Sequence, residues 1–147
     1  MQDTLGDRIK QYEEVETNRR FLPLLPVCAR IDGRSFSKFT KGMNRPYDIA
    51  MSNAMIETTK FLVDKTSADI GYTQSDEITL IWKNDKEDSS IFFDGRVFKM
   101  TSNLAALATA KFMTLALTNW PKKLENTLPT FDARVFQVPN IDEAVNT

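Results

Sequence analysis

The stretch 70-IGYTQSDEITLIW-82 decides the fold of this chain, because it holds two short β-rich runs around a polar centre. This pattern predicts a β-hairpin. Side chains in the second arm alternate between the two faces of the predicted strand, with a period of two residues. Ile78, Leu80 and Trp82 share one face, and Thr79 and Ile81 share the other.

On either side of the hairpin the sequence predicts alternating helices and strands. The runs 26-PVCARID-32 and 131-FDARVFQV-138 are typical of strands. Three helices are predicted: a short amphipathic one over about residues 4–15, one from Asp48 or Ser52 to about Lys65, and one from about Ser102 to Asn119. After the first helix the order is βαββαβ, which predicts an α+β, ferredoxin-like sheet of the polymerase-palm kind. We expect one such domain over residues 1–147.

Composition excludes several classes of function. The chain has 147 residues, no histidine and one cysteine, Cys28, so histidine-based catalysis, histidine zinc sites and a disulfide framework are all excluded. The polar start, MQDTLGDRIK, is unlike a secretory signal, and no apolar run is long enough to span a membrane. We therefore expect a cytoplasmic protein without a membrane partner.

Acidic residues stand at the ends of two predicted strands. Asp32 closes the first strand, and Asp76 and Glu77 lie at the tip of the hairpin. In a βαββαβ sheet these strands are neighbours, so the carboxylates converge, and a pair of Mg²⁺ ions would offset their mutual repulsion. The alternative is that Asp-Gly and Asp-Glu are only solvated turn residues.

The segment from Arg19 to Arg45 is strongly basic, with seven cations against Asp32 alone. It indicates either an anionic ligand or a solvated surface. The turn Gly33–Ser37 could cradle phosphate oxygens with its backbone N–H groups, with charge supplied by Arg34, Lys38 and Arg45, although no Walker A motif is present. The later 93-FDGR-96 is interpreted as a turn, with Arg96 and Lys99 as possible RNA-phosphate contacts.

Three motifs together resemble a known family. The runs 30-RIDGRSF-36, 71-GYTQSDE-77 and 131-FDARVFQVPN-140 are similar to those of tRNA-His guanylyltransferase and its relatives, the 3′-to-5′ RNA polymerases. The opening LGDRIKQYE also resembles the relatives found mainly in bacteria and archaea. The resemblance covers nearly the whole chain.

The resemblance implies a metal-dependent palm domain with two Mg²⁺ ions. Its metal ligands fall on Asp32, the main-chain carbonyl of Gly33, and Asp76, with Glu77 as a further acidic residue needed for activity. Its nucleotide site falls on Asp32, Gly33, Arg34, Ser35, Phe36, Ser37, Arg45, Ser75 and Asp76. Such enzymes activate the 5′ end of tRNA with ATP or GTP, and the 3′-hydroxyl of an incoming nucleotide then attacks that end. Bacterial-type relatives repair 5′-truncated tRNAs.

The sequence departs from the family in three places. Ser37 stands where the family often has histidine, and Ala133 replaces a glycine. The chain also stops after 140-NIDEAVNT-147, where family members continue, so we expect their C-terminal portion to be missing. A complementing C-terminal polypeptide, or a homo-oligomer, is then an expected partner besides tRNA and ATP or GTP. The alternatives are a noncatalytic nucleotide- or RNA-binding palm module and a protein-interaction fragment.

Overall fold

A four-stranded antiparallel sheet forms the centre of the fold in the computed structural model, which describes residues 4–45, 48–88 and 90–146. Its spatial order is β2-β3-β1-β4, and each pair of neighbouring strands is antiparallel. The prediction of a ferredoxin-like βαββαβ sheet is confirmed. The strands are β1 (Val27–Arg34), β2 (Ile70–Gln74), β3 (Glu77–Trp82) and β4 (Thr130–Gln137).

The helices lie on both faces of the sheet but unequally. Five α-helices are present in the described residues: α1 (Leu5–Thr17), α2 (Phe36–Phe39), α3 (Ile49–Thr66), α4 (Val97–Asn119) and α5 (Ile141–Asn146). The long helices α3 and α4 pack on one face, which carries the main core. The short α5 covers only one end of the other face through Ala144, which packs with Cys28 and Ile81. We call that second face the open face.

Alternation along the strands assigns residues to the two faces. Ile78, Leu80 and Trp82 lie in the core under the helices, whereas Ile81 points to the open face, as predicted. The same period holds along β1, where Ile31 is in the core. Burial of these apolar side chains is what holds the sheet against the helices.

Helix α3 follows from its sequence. Asp48 is its N-cap and accepts a hydrogen bond from the backbone N–H of Met51 at 3.1 Å. Met55, Thr58 and Leu62 are buried along one face, as predicted from their spacing. The Thr58 hydroxyl donates to the carbonyl of Ala54, so its burial leaves no donor unpaired.

Two element boundaries were predicted wrongly, because contacts between distant segments set them. Helix α4 begins at Val97 rather than near Ser102, since the Val97 N–H donates to the carbonyl of Arg19 at 3.0 Å. Strand β1 continues beyond Asp32 to Arg34 because β4 still pairs with it, Gly33 opposite Phe131. The short helices α2 and α5 were not predicted.

Helix α1 forms where its apolar spacing predicted, but it buries none of its residues. Leu5, Ile9 and Tyr12 are 67%, 53% and 72% exposed. Thr4 and Asp7 form a reciprocal capping box at its start, which satisfies two backbone N–H groups locally. Across the described ranges no helix is long and apolar enough to cross a membrane.

Candidate active site

A backbone hydrogen bond joins the end of β1 to the hairpin turn. The N–H of Gly33 donates to the carbonyl oxygen of Asp76 at 2.9 Å. Asp32 lies directly opposite Glu77 on the neighbouring strand, and its side chain is 27% exposed. The two acidic segments that the sequence separates by more than forty positions therefore meet.

The carboxylates of Asp32 and Glu77 differ in their electrostatic surroundings. Arg30 Nη2 donates to Glu77 Oε1 at 2.6 Å, and this bond lowers the pKa of Glu77. Burial raises the pKa of Asp32, and hydrogen bonding and like charge from Glu77 raise it further. Glu77 is therefore held ionised by Arg30, whereas ionised Asp32 lacks an equivalent close partner among the described residues.

Sequence reasoning did not assign Arg30 to Glu77. The signal was available in 30-RID-32, because residues two apart on a strand share a face. It could not be used without the register that places Glu77 opposite Asp32.

Strand β4 adds two charged residues that sequence reasoning also missed. Asp132 lies directly opposite Asp32, and its Oδ1 is buried with no hydrogen-bond partner. Arg134 Nη2 lies 3.9 Å from Asp32 Oδ2, a loose contact made by a side chain that is 73% exposed. The alternating Asp and Arg of 131-FDARV-135 were the available signal.

The oxygen ligands at this end of the sheet suit a hard cation. Within residues 4–45, 48–88 and 90–146, no group of three or more Asp, Glu, His or Cys side chains is arranged to hold a metal ion. The metal ligands that the family resemblance implies include only two carboxylates, those of Asp32 and Asp76, together with the main-chain carbonyl of Gly33. Such an all-oxygen set fits Mg²⁺, which commonly keeps water or substrate phosphate on its other positions.

A cavity of about 530 Å³ opens beside Asp76, which is part of its lining. It brings together five of the predicted nucleotide-site residues, which are Phe36, Ser37, Arg45, Ser75 and Asp76. Three methionines form an apolar part of its lining: Met43, Met51 and Met55. The cavity lining thus combines charged and hydroxyl-bearing side chains with apolar ones. This combination suits a nucleotide, which has charged phosphates and a flat base.

The cavity lining does not include the other predicted residues, which are Asp32, Gly33, Arg34, Ser35, Glu77, Arg96 and Lys99. Arg34 and Ser35 are exposed after Gly33, where Ser35 has a left-handed backbone with φ 56°. Arg96 and Lys99 are exposed at the start of α4. Phe36 lines the cavity but is only 3% exposed, because its ring packs against Phe112 and other core aromatic side chains.

The Gly33→Ala variant is expected to destabilise the fold. A Cβ at Gly33 would lie 2.5 Å from the Phe36 ring, whose core contacts prevent it from moving away. We expect a loss of about 1–3 kcal/mol in unfolding free energy, the usual cost of overpacking, measured by urea denaturation. Gly6→Ala is the control, because its Cβ would make only an ordinary 3.8 Å contact with the hydroxyl oxygen of Thr4. Equal stability of the two variants would contradict the packing argument.

Comparison with known proteins identifies the family. The family model described as tRNAHis guanylyltransferase (Thg1) matches residues 6–139. The chain belongs to the tRNAHis guanylyltransferase family. The tRNA(His) guanylyltransferase of Schizosaccharomyces pombe is 32% identical over 139 residues, covering 90% of this chain and 49% of that protein.

Solved structures of tRNAHis guanylyltransferase relatives have the same fold. A bacterial Thg1-like protein in complex with ATP matches with a TM-score of 0.89 and 37% identity, over 98% of this chain and 62% of that one. The Saccharomyces cerevisiae enzyme matches with a TM-score of 0.82 and 28% identity, over 97% of this chain and 62% of that one. The chain spans about half the length of the curated relatives it matches.

Proposed function

We propose that this chain is the palm part of a metal-dependent nucleotidyltransferase that adds nucleotides in the 3′-to-5′ direction to the 5′ end of tRNA. One observation carries the proposal: the Gly33–Asp76 hydrogen bond joins two carboxylate-bearing segments at the rim of a nucleotide-sized cavity. Family membership supports the same reaction class.

Asp32, Asp76 and the carbonyl of Gly33 would hold the metal. Two Mg²⁺ ions, when bound, supply positive charge at the attacking and leaving oxygens of phosphoryl transfer. The raised pKa of Asp32 agrees with this role, because a cation would offset the unfavourable burial of its charge. Glu77 is paired with Arg30 on the open face, and its carboxylate lies beside Asp32, where a bound cation would offset the like charge of the two groups.

The cavity would hold the activating nucleotide. Arg45, Ser37 and Ser75 would bind the triphosphate, and Met43 with its neighbouring methionines would contact the base. Arg34 and Ser35 would meet the phosphates from the end of β1. Bacterial Thg1-like proteins were solved in complex with ATP and with GTP, which supports either nucleotide as the ligand.

The RNA would approach from outside the cavity. Arg96 and Lys99 are exposed cations at the start of α4, and we propose them as contacts to RNA phosphate. A C-terminal polypeptide or a second copy of the chain would complete the RNA-binding surface.

A noncatalytic nucleotide-binding module is the second candidate. It is favoured by the cavity lined by Ser37, Arg45 and Ser75, which could hold a nucleotide whether or not addition follows. This candidate predicts that ATP or GTP binds in the cavity without turnover.

Incubation with labelled ATP or GTP, Mg²⁺ and a 5′-truncated tRNA distinguishes the two. The assay is run with and without a polypeptide that supplies the C-terminal segment of a family member. Lengthened, labelled tRNA on a denaturing gel is the expected result. Nucleotide binding without product in either condition would favour the noncatalytic module instead.

A further inference from the structure

Helix α1 carries a row of apolar side chains that no part of the described chain covers. Leu5, Ile9 and Tyr12 follow one another at intervals of four and three residues, so they share one face of the helix. We call these three residues the α1 stripe. All three are more than half exposed, as is Val15 beside them, and no residue of α1 is buried.

Local interactions alone stabilise this helix only weakly. Helix α1 has 13 residues, and isolated helices of about 12–15 residues or fewer are marginally stable in water. The capping box of Thr4 and Asp7 pairs backbone N–H groups at the first turn only. In folded proteins, most of the stability of a helix comes from packing its apolar face against another surface. The α1 stripe therefore lacks the contact that would stabilise α1.

The charges of α1 are divided unequally between its two halves. Arg8 and Lys10 lie in the N-terminal half, together with Asp7. The C-terminal half has no basic residue in its last turn and carries three glutamates: Glu13, Glu14 and Glu16. Acidic side chains near the C-terminal end of a helix are unfavourable, because the last carbonyl groups carry negative partial charge. Positive charge placed opposite these glutamates would stabilise the helix.

A second copy of α1 has the charge that the first one lacks. Within the part of the chain that the structure describes, no charged side chain of α1 takes part in an ion pair. If two α1 helices lie antiparallel, Arg8 and Lys10 of each are opposite the glutamates of the other. A parallel pair would instead bring the glutamates of both copies together. Charge complementarity therefore favours the antiparallel pair.

We propose that the α1 stripe is an interface with a second copy of this chain, in which the two α1 helices pack antiparallel about a two-fold axis. Ile9 then contacts Tyr12 of the partner subunit, and by symmetry Tyr12 contacts Ile9 of the partner subunit. A pair of helices about 20 Å long buries less surface than a standard interface, so we expect a weak dimer with a Kd of about micromolar order. The inference concerns assembly and does not depend on the proposed reaction.

Sedimentation equilibrium at concentrations below and above this Kd tests the interface. The fraction of dimer should rise with concentration in the unchanged chain. Ile9→Asp should weaken the dimer by at least about tenfold, because it places an unpaired charge at the centre of the contact. Leu117→Asp is the matched control: Leu117 is 59% exposed on α4, so its substitution should leave the Kd unchanged. Urea denaturation checks that both variants fold, since neither side chain belongs to the core.

Disulfide trapping tests the direction of the pair. An antiparallel pair places residue 5 of one copy next to residue 16 of the other, so a mixture of Leu5→Cys and Glu16→Cys should cross-link under mild oxidation. Neither variant should cross-link alone, and the natural Cys28 is buried. A chain that is monomeric at every concentration overturns the inference, as does an unweakened dimer in Ile9→Asp. Cross-linking of Glu16→Cys alone indicates a parallel pair and also overturns it. None of these measurements uses nucleotide addition, so they stand apart from the outcome of the labelled-nucleotide assay.

Discussion

The Asp32→Asn variant is expected to lose nucleotide addition completely and yet to unfold at a higher temperature than the unchanged chain at pH 7. Activity is lost because an amide is a poor ligand for Mg²⁺ compared with a carboxylate. Stability rises because burial and the charge of Glu77 disfavour ionised Asp32. An Asn side chain can donate to the Glu77 carboxylate instead of repelling it. We expect a gain of about 0.5–2 kcal/mol, the range of single stabilising substitutions.

The pH dependence of that gain has a definite sign. The pKa of Asp32 is raised in the folded chain, so ionisation disfavours the folded state as pH rises above the unfolded-state pKa. The difference between Asp32→Asn and the unchanged chain should therefore shrink as pH falls from 7 toward 4. Thermal unfolding at several pH values measures it. Asp64→Asn, an exposed carboxylate on α3, is the control and should show no gain.

Stabilisation by added Mg²⁺ and ATP tests the role of Asp32 as a metal ligand separately from its effect on the stability of the unliganded chain. Mg²⁺ with ATP should raise the unfolding temperature of the unchanged chain more than that of Asp32→Asn, because ligands stabilise the state that binds them. Nucleotide addition by Asp32→Asn would refute the assignment of Asp32 as a metal ligand. A variant less stable than the unchanged chain at pH 7 would refute the electrostatic argument.

The Phe112→Ala variant is expected to lose about 3–5 kcal/mol of unfolding free energy, the usual cost of removing a buried aromatic ring. Phe112 is fully buried on α4, and its ring centroid lies 5.3 Å from that of Phe36 and 5.5 Å from that of Phe131. The substitution leaves a cavity under the segment that carries Gly33. Because Phe36 supports that segment, binding of ATP should weaken as well.

Leu117→Ala on the same helix is the matched control. Leu117 is 59% exposed, so its truncation should change stability by less than about 0.5 kcal/mol. Urea denaturation of both variants measures the difference. Similar values for the two would mean that the aromatic cluster does not hold α4 against the sheet.

Much of the fold could be predicted from local pattern. The alternation of Ile78, Leu80 and Trp82 and the spacing of Met55, Thr58 and Leu62 report which side chains face the core. These periods depend only on the geometry of strands and helices, so one sequence is enough to see them. The start of α4 was missed because the carbonyl of Arg19, far away in the chain, binds its first N–H group.

The candidate site could be predicted only in part. Asp32, Gly33, Asp76 and Glu77 were found because they stand at the ends of strands that the βαββαβ order makes neighbours. Local spacing could not show that Arg30 pairs with Glu77, since two residues forty-seven positions apart meet only through the register of β1 and β3. Asp132 was missed for the same reason, because only the pairing of β4 places it opposite Asp32.

The sequence by itself thus determined the order of the elements, their buried faces and the acidic character of the strand ends. Only the tertiary structure decided which charge each carboxylate faces: Glu77 receives Arg30, while Asp32 faces Glu77 and Asp132. It also decided that the apolar side chains of α1 remain exposed. The physical reason is the distance along the chain over which each effect acts. Periodicity and capping act within a few residues, whereas electrostatic pairing and burial depend on which distant segments the sheet brings together.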